Sequence, residues 1–71
     1  MKKVLVTGGA GYLGKHLAKT LYNAGHEVYC IDRIRANCKY YQEELEADFR
    51  KYPNTLYRVF IKNIDTVFHL A

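Results

Sequence analysis

At 71 residues the chain is enough for one small domain, under a quarter of the roughly 300 that an α/β enzyme with cofactor and substrate halves requires. Its composition, 49% hydrophobic and 14% aromatic with seven Tyr and a single Pro, excludes a disordered chain. Eleven Lys and Arg against seven Asp and Glu give a net charge of +4, but the charges are scattered and show no basic and aromatic interleaving of a recognised RNA-binding type, which argues against nucleic acid as the main partner.

Met1-Lys2-Lys3 leads into only Val4-Leu5-Val6 before Thr7-Gly8-Gly9. That apolar run is too short for a signal peptide, and no run elsewhere approaches a membrane span, so a cytoplasmic protein is expected. Lys3 to Thr7 has the β-branched apolar character of a strand buried on both faces. From Tyr12 to Ala24 the period changes: Leu13, Leu17, Leu21 and Ala24 recur at helical spacing, with Lys15, Lys19 and Asn23 on the other side. Gly25 stands where a left-handed residue closes a helix, and a second buried strand follows in Val28-Tyr29-Cys30-Ile31-Asp32. Cys30 is expected in the core. It and Cys38 lack a C-x-x-C spacing or a second pair, so reduced thiols are expected and a metal site is not.

Arg33 to Lys39 is polar and unpatterned and reads as a loop. Tyr41 to Ala47 alternates weakly, with Tyr41, Glu43 and Leu45 on one side, and reads as a short edge strand. Pro53 and Asn54 mark a helix start, and Leu56, Val59 and Phe60 give it an apolar stripe. A last strand runs from Asp65 to Leu70. Strands and helices alternate, so the expected class is α/β with a parallel sheet and residues 1–71 form one segment of it.

The chemically informative stretch is Thr7-Gly8-Gly9-Ala10-Gly11-Tyr12-Leu13-Gly14, between the first strand and the first helix. Gly9-x-Gly11-x-x-Gly14 at a strand-to-helix turn, with an acid at the end of the next strand, is the pattern of a dinucleotide-binding Rossmann unit. A pyrophosphate needs free backbone N–H groups and a positive dipole end, which a helix N-terminus supplies. Gly11 would let backbone approach phosphate, and Gly14 would let the helix lie close to the strand. Asp32 is placed to accept from adenosine ribose hydroxyls, and its charge would repel a 2′-phosphate, favouring NAD over NADP; Arg33 and Arg35, close by, weaken that preference. Gly9 to Lys15 also spells G-x-x-x-x-G-K, the start of a nucleoside triphosphate loop. There His16 stands in place of the Ser or Thr that binds magnesium, and imidazole is a poor magnesium ligand. A glycine turn that serves the fold alone remains the plain alternative.

In these residues the chain resembles the extended short-chain dehydrogenase/reductase family, the NAD-dependent nucleotide-sugar epimerases and dehydratases. Thr7, Gly8, Gly11 and Gly14 are similar to that family's T-G-x-x-G-x-x-G. Ala47-Asp48-Phe49-Arg50 resembles its G-D-I-R segment, and Ile64 to Ala71 resembles its I-D-x-V-x-H-L-A strand. The resemblance implies a partial Rossmann sheet of strand order 3-2-1-4, truncated after the fourth strand. It implies that the backbones of Tyr12 and Leu13 touch the pyrophosphate and that Asp32 holds the ribose. Asp48 would accept from the adenine amino group, Phe49 would line the adenine pocket, and Leu70 and Ala71 would lie under the nicotinamide. Asp48 as an ordinary loop acid and Phe49 as core are the plain alternatives, and His69 is expected to be a satisfied strand residue rather than a catalyst.

The resemblance also implies what to look for elsewhere. The family's Tyr-x-x-x-Lys has no counterpart here: none of the seven tyrosines has Lys four residues later. The link from Asp32 to Asp48 is short for the family, and a second helix is not expected in it. Two functions are therefore expected as alternatives: the NAD-binding portion of an epimerase- or dehydratase-like enzyme, with a nucleotide-sugar substrate only in a full-length parent, and a non-catalytic NAD-binding or subunit-interaction module. With order 3-2-1-4 the fourth strand is left as an edge, and self-association or a partner subunit is expected there.

Overall fold

A computed structural model describes residues 2–47 and 62–70. Val4, Leu5 and Val6 are apolar on both sides of their strand, which demands cover on both faces and hence a central position. They occupy it. Strand β1 (Lys3–Thr7) is followed by helix α1 (Tyr12–Asn23), β2 (Glu27–Asp32), β3 (Glu43–Glu46) and β4 (Thr66–His69). All strands are parallel, in the order β3-β2-β1-β4. The register sets Val6 beside Cys30 and Phe68, and Asp32 beside Glu46. The expected order and class are both found. The predicted helix after Pro53 lies outside the described residues, as do Asp48, Phe49 and Ala71.

Alternation along the strands sorts the core into two layers. Val6, Val28 and Cys30 face α1 and pack with Ala18, Ala36 and Tyr41. Leu5 and Ile31 face the other way and join Ala47, with Tyr29, Leu45 and Ile64 at the margin. The helix stripe differs from the sequence expectation. Gly14 and Ala18 are the buried positions of α1, Leu17 and Leu21 are partly buried, and Leu13 is 65% exposed. The cause is close approach: with small residues at 14 and 18 the helix lies on the sheet along that ridge, and Leu13 in its first turn is left at the surface.

The helix ends as its sequence indicated. Gly25 takes a left-handed φ of 92°, its N–H donates to Tyr22 O, and His26 N–H donates to Leu21 O, closing the last turn in a Schellman arrangement. The segment from Arg33 to Tyr40 contains no helix, as expected. It is strapped instead by one side chain: Glu44 accepts from Ala36 N–H at 2.6 Å through Oε1 and from Cys38 N–H at 3.2 Å through Oε2. Tyr41 corrects another expectation. It does not share a face with Leu45, because it precedes β3 and leaves its turn toward the α1 layer, while Leu45 belongs to the opposite one.

Candidate functional site

Parallel strands bring their carboxyl ends to one edge, and the order of this sheet reverses between β1 and β4, where an open α/β sheet leaves a crevice. Thr7, Asp32 and His69 end three neighbouring strands there. The ladder is fastened at that edge: Gly8 N–H donates to Ile31 O at 2.9 Å, and Leu70 N–H donates to Thr7 O at 3.0 Å. The buried Thr7 hydroxyl lies 2.6 Å from His69 Nδ1. His69 is thus a partnered strand residue, as its sequence context indicated.

The glycines of the turn have separable causes. Gly8 has φ 74°, in the left-handed region that penalises a side chain. A Cβ on Gly14 would sit 2.6 Å from the Gly9 Cα, and one on Gly9 would overlap the Tyr41 hydroxyl and Cys30 Sγ. Gly11 differs from all three. Its φ of −76° suits any residue, and a Cβ there would meet nothing nearer than Gly8 O at 3.9 Å. Neither backbone conformation nor packing within the described residues asks for glycine at this place.

Gly11 is the N-cap of α1, and the first intrahelical bond is Lys15 N–H to Gly11 O at 3.0 Å. The N–H groups of Tyr12, Leu13 and Gly14 precede that bond. No side chain caps the helix and no acid stands in its first turn, so the positive end of the dipole is uncompensated there. Tyr12 and Leu13 have exposed side chains. The amides and the bare Gly11 together offer donors and open approach to an anionic group.

Asp32 closes the site from β2. Its Oδ2 accepts from Ala10 N–H at 2.9 Å and its Oδ1 from Arg33 N–H at 2.6 Å. Each carboxylate oxygen keeps a second lone pair, so the group is fixed in direction yet able to accept further bonds. Arg33 and Arg35, which follow it in the chain, are exposed. Of the residues singled out in the sequence, Gly8, Gly11, Tyr12, Leu13, Gly14, Asp32, Arg33 and Leu70 fall at this carboxyl edge.

Sequence reasoning missed Tyr41. Its side chain is 7% exposed, and its hydroxyl donates to Gly9 O at 2.7 Å and Gly14 O at 3.1 Å, tying the glycine turn to the segment before β3. No spacing announces such a bond, and the polar stretch around Tyr41, Lys39 to Glu44, gives no sign that its hydroxyl is buried and needs a partner. Burial, with the Cys30 and Cys38 sulfurs, keeps the Tyr41 hydroxyl protonated well above the usual range for tyrosine. Cys30, beside it, is pushed up to about 12, first by burial and then by the charges of Glu44 and Asp32. Among the described residues no group of three or more His, Cys, Asp or Glu could hold a metal, and no helix is long and apolar enough to cross a membrane.

Comparison with known proteins gives this geometry a family. The sequence profile of the NAD-dependent epimerase/dehydratase family matches residues 4–71. UDP-N-acetyl-alpha-D-glucosaminuronate decarboxylase of Bacillus cytotoxicus is 37% identical over 76 aligned positions, covering 99% of this chain and 23% of the relative. The structure of MoeE5 in complex with UDP-glucuronic acid and NAD superposes with a TM-score of 0.80 at 39% identity, over 97% of this chain and 22% of that one. A UDP-glucose-4-epimerase from Stenotrophomonas maltophila, with bound NAD and formylated UDP-arabinopyranose, does so at 0.77 and 30% identity, over 100% of this chain and 24% of its own. The chain thus spans about a quarter of the length of the relatives it matches. With the family profile matched over residues 4–71 and a relative 37% identical over 99% of this chain's length, the chain belongs to the NAD-dependent epimerase/dehydratase family.

Proposed function

We propose that the chain binds NAD at the carboxyl edge of its sheet, as the cofactor-holding portion of an enzyme that acts on nucleotide sugars. Gly11 carries the reading: it is the one glycine of the turn that neither a left-handed φ nor a close contact within the described residues explains, and the space it leaves lies at uncapped helix amides. A dinucleotide pyrophosphate suits that place by charge and by hydrogen-bonding capacity. The N–H groups of Tyr12 and Leu13 would donate to it, with Gly8 and Gly14 holding the turn around them. Asp32 would accept from the adenosine ribose hydroxyls through its remaining lone pairs, beside the Arg33 backbone that fixes it. Leu70 and Ala71 would support the nicotinamide, and Asp48 and Phe49 the adenine.

When bound, NAD supplies reversible hydride acceptance from a sugar carbon. This chain's own share is to bind and orient. The carboxylate of Asp32 would disfavour a 2′-phosphate, so NAD is preferred to NADP. The free thiols of Cys30 and Cys38 suit a reducing cytoplasm.

Titration of the protein with NAD, followed by calorimetry, tests the reading. Saturable binding that weakens in Asp32→Ala is expected. A folded sample without saturable binding would remove the cofactor assignment altogether.

A further inference from the structure

We infer that Tyr41 is a positioning residue for the Asp32 carboxylate, and through it sets the discrimination between NAD and its 2′-phosphorylated form; this rests on the cofactor reading proposed above. Tyr41 donates to Gly9 O at 2.7 Å, and Ala10 N–H donates to Asp32 Oδ2 at 2.9 Å. Gly9 O and Ala10 N belong to one planar trans peptide, so the two bonds grip a single rigid unit, its carbonyl and its N–H pointing opposite ways. Fixing the carbonyl on one side fixes the N–H on the other. The second acceptor, Gly14 O at 3.1 Å, ties the same hydroxyl to the first turn of α1.

A purely packing role for Tyr41 does not account for where its hydroxyl goes. Gly9 and Gly14 are both buried, and Gly9 lies so close that any side chain there would displace the Tyr41 hydroxyl or Cys30 Sγ. The turn is thus closed over the hydroxyl. Phe at this position would keep the ring volume but leave the buried Gly9 carbonyl without this donor, and a buried unpaired carbonyl rotates toward any alternative partner. Rotation of the peptide would release Ala10 N–H from Asp32. The carboxylate, then held by Arg33 N–H alone, would move off the position from which it repels a 2′-phosphate.

The test is the ratio of NADP to NAD dissociation constants in the wild type, Tyr41→Phe, Asp32→Ala and the double variant, with folding checked by circular dichroism. In Tyr41→Phe, NAD binding should weaken roughly five- to tenfold and the NADP/NAD ratio should fall toward that of Asp32→Ala. The double variant should show no further fall in the ratio. An unchanged ratio in folded Tyr41→Phe, or a further fall in the double variant, would overturn the inference. Amide exchange of Ala10 gives a readout that needs no cofactor: faster exchange in Tyr41→Phe supports the linkage, and unchanged protection refutes it even if the wild type proves not to bind NAD. Should Tyr41→Phe fail to fold, the linkage is read from the other side. Asp32→Ala should shift the Tyr41 ring Cζ resonance, and an unmoved resonance refutes the coupling.

Discussion

Tyr41 and Asp32 hold the same peptide unit from opposite sides, Tyr41 through the Gly9 carbonyl at 2.7 Å and Asp32 through the Ala10 N–H at 2.9 Å. One comes from the turn before an edge strand and the other from the end of its neighbour, so the sheet itself fixes the distance between them. The consequence is a glycine turn whose carbonyls are drawn inward while the helix amides after Gly11 stay free. That division separates what stabilises the fold from what would meet a ligand.

Substitution of the glycines should show the same division. Gly14→Ala forces a Cβ into the Gly9 backbone and is expected to cost about 1–3 kcal/mol in urea unfolding. Gly11→Ala meets open space and should cost about 0.5–1 kcal/mol, the difference between Gly and Ala at an N-cap. Yet Gly11→Ala is the variant expected to lose NAD affinity, by at least tenfold in a calorimetric titration. A destabilised Gly11→Ala that binds NAD normally would reverse the assignment of these two positions.

Both central strands and the glycine turn were legible in the sequence, because buried parallel strands write themselves as continuous apolar runs and turns as glycine, whereas the sheet order was implied by the family resemblance alone. Asp32 was legible for a related reason: an acid ending a run such as Val28 to Ile31 has no use in the core. Tyr41 and Glu44 were not. Each acts through a bond to a backbone atom far along the chain or across a loop, Tyr41 to Gly9 and Gly14, Glu44 to Ala36 and Cys38. Such bonds leave no period. The exposed Leu13 was misplaced because periodicity assigns a face to a whole helix, whereas the burial of α1 follows its small residues.

Thiol chemistry offers a test of the core beneath the turn. Cys30 is buried and its thiol is pushed up to about 12, whereas Cys38 is only half-buried. At pH 7.5 a maleimide should label Cys38 alone, with Cys30 reacting only in denaturant. The same burial gives a direction to the pH dependence. Cys30 ionises near 9.0 in the unfolded chain and near 12 in the folded one, so its contribution is complete below about pH 9 and is lost as pH rises toward 12. Tyr41, raised for the same leading reason, acts in the same sense at higher pH. Melting temperature measured from pH 7 to 11 should therefore fall above about pH 9, and Cys30→Ala should flatten that fall.

Glu44 replaces a helix as the organiser of the loop after Asp32. Two amides donating to one partly buried carboxylate make charge-assisted bonds, and Glu44→Ala removes both acceptors at once. A loss of about 1.5–3 kcal/mol in urea unfolding is expected, with Glu44→Gln intermediate, since its amide oxygen can replace one acceptor only. Amide exchange of Ala36 and Cys38 should accelerate in both variants. If exchange at these two amides is unaffected, the strap is a surface contact without consequence for the loop.

Strand β4 is the most exposed of the four described strands. Among the described residues it pairs with β1 alone, and Val67, Phe68 and Leu70 are exposed, Val67 by 53%. A free parallel edge with apolar side chains is a template for another strand, and natural sheets discourage such pairing by placing Lys at the edge. Val67 has Leu5 as its register partner, so a lysine there would put charge on the apolar side of the edge without touching the glycine turn. The wild-type protein is expected to self-associate, its weight-average mass in sedimentation velocity rising between about 10 and 300 μM, and Val67→Lys is expected to remain monomeric over that range with NAD affinity unchanged. A wild type that sediments as a monomer throughout, and melts sharply at a temperature independent of concentration, would show that this edge is already protected.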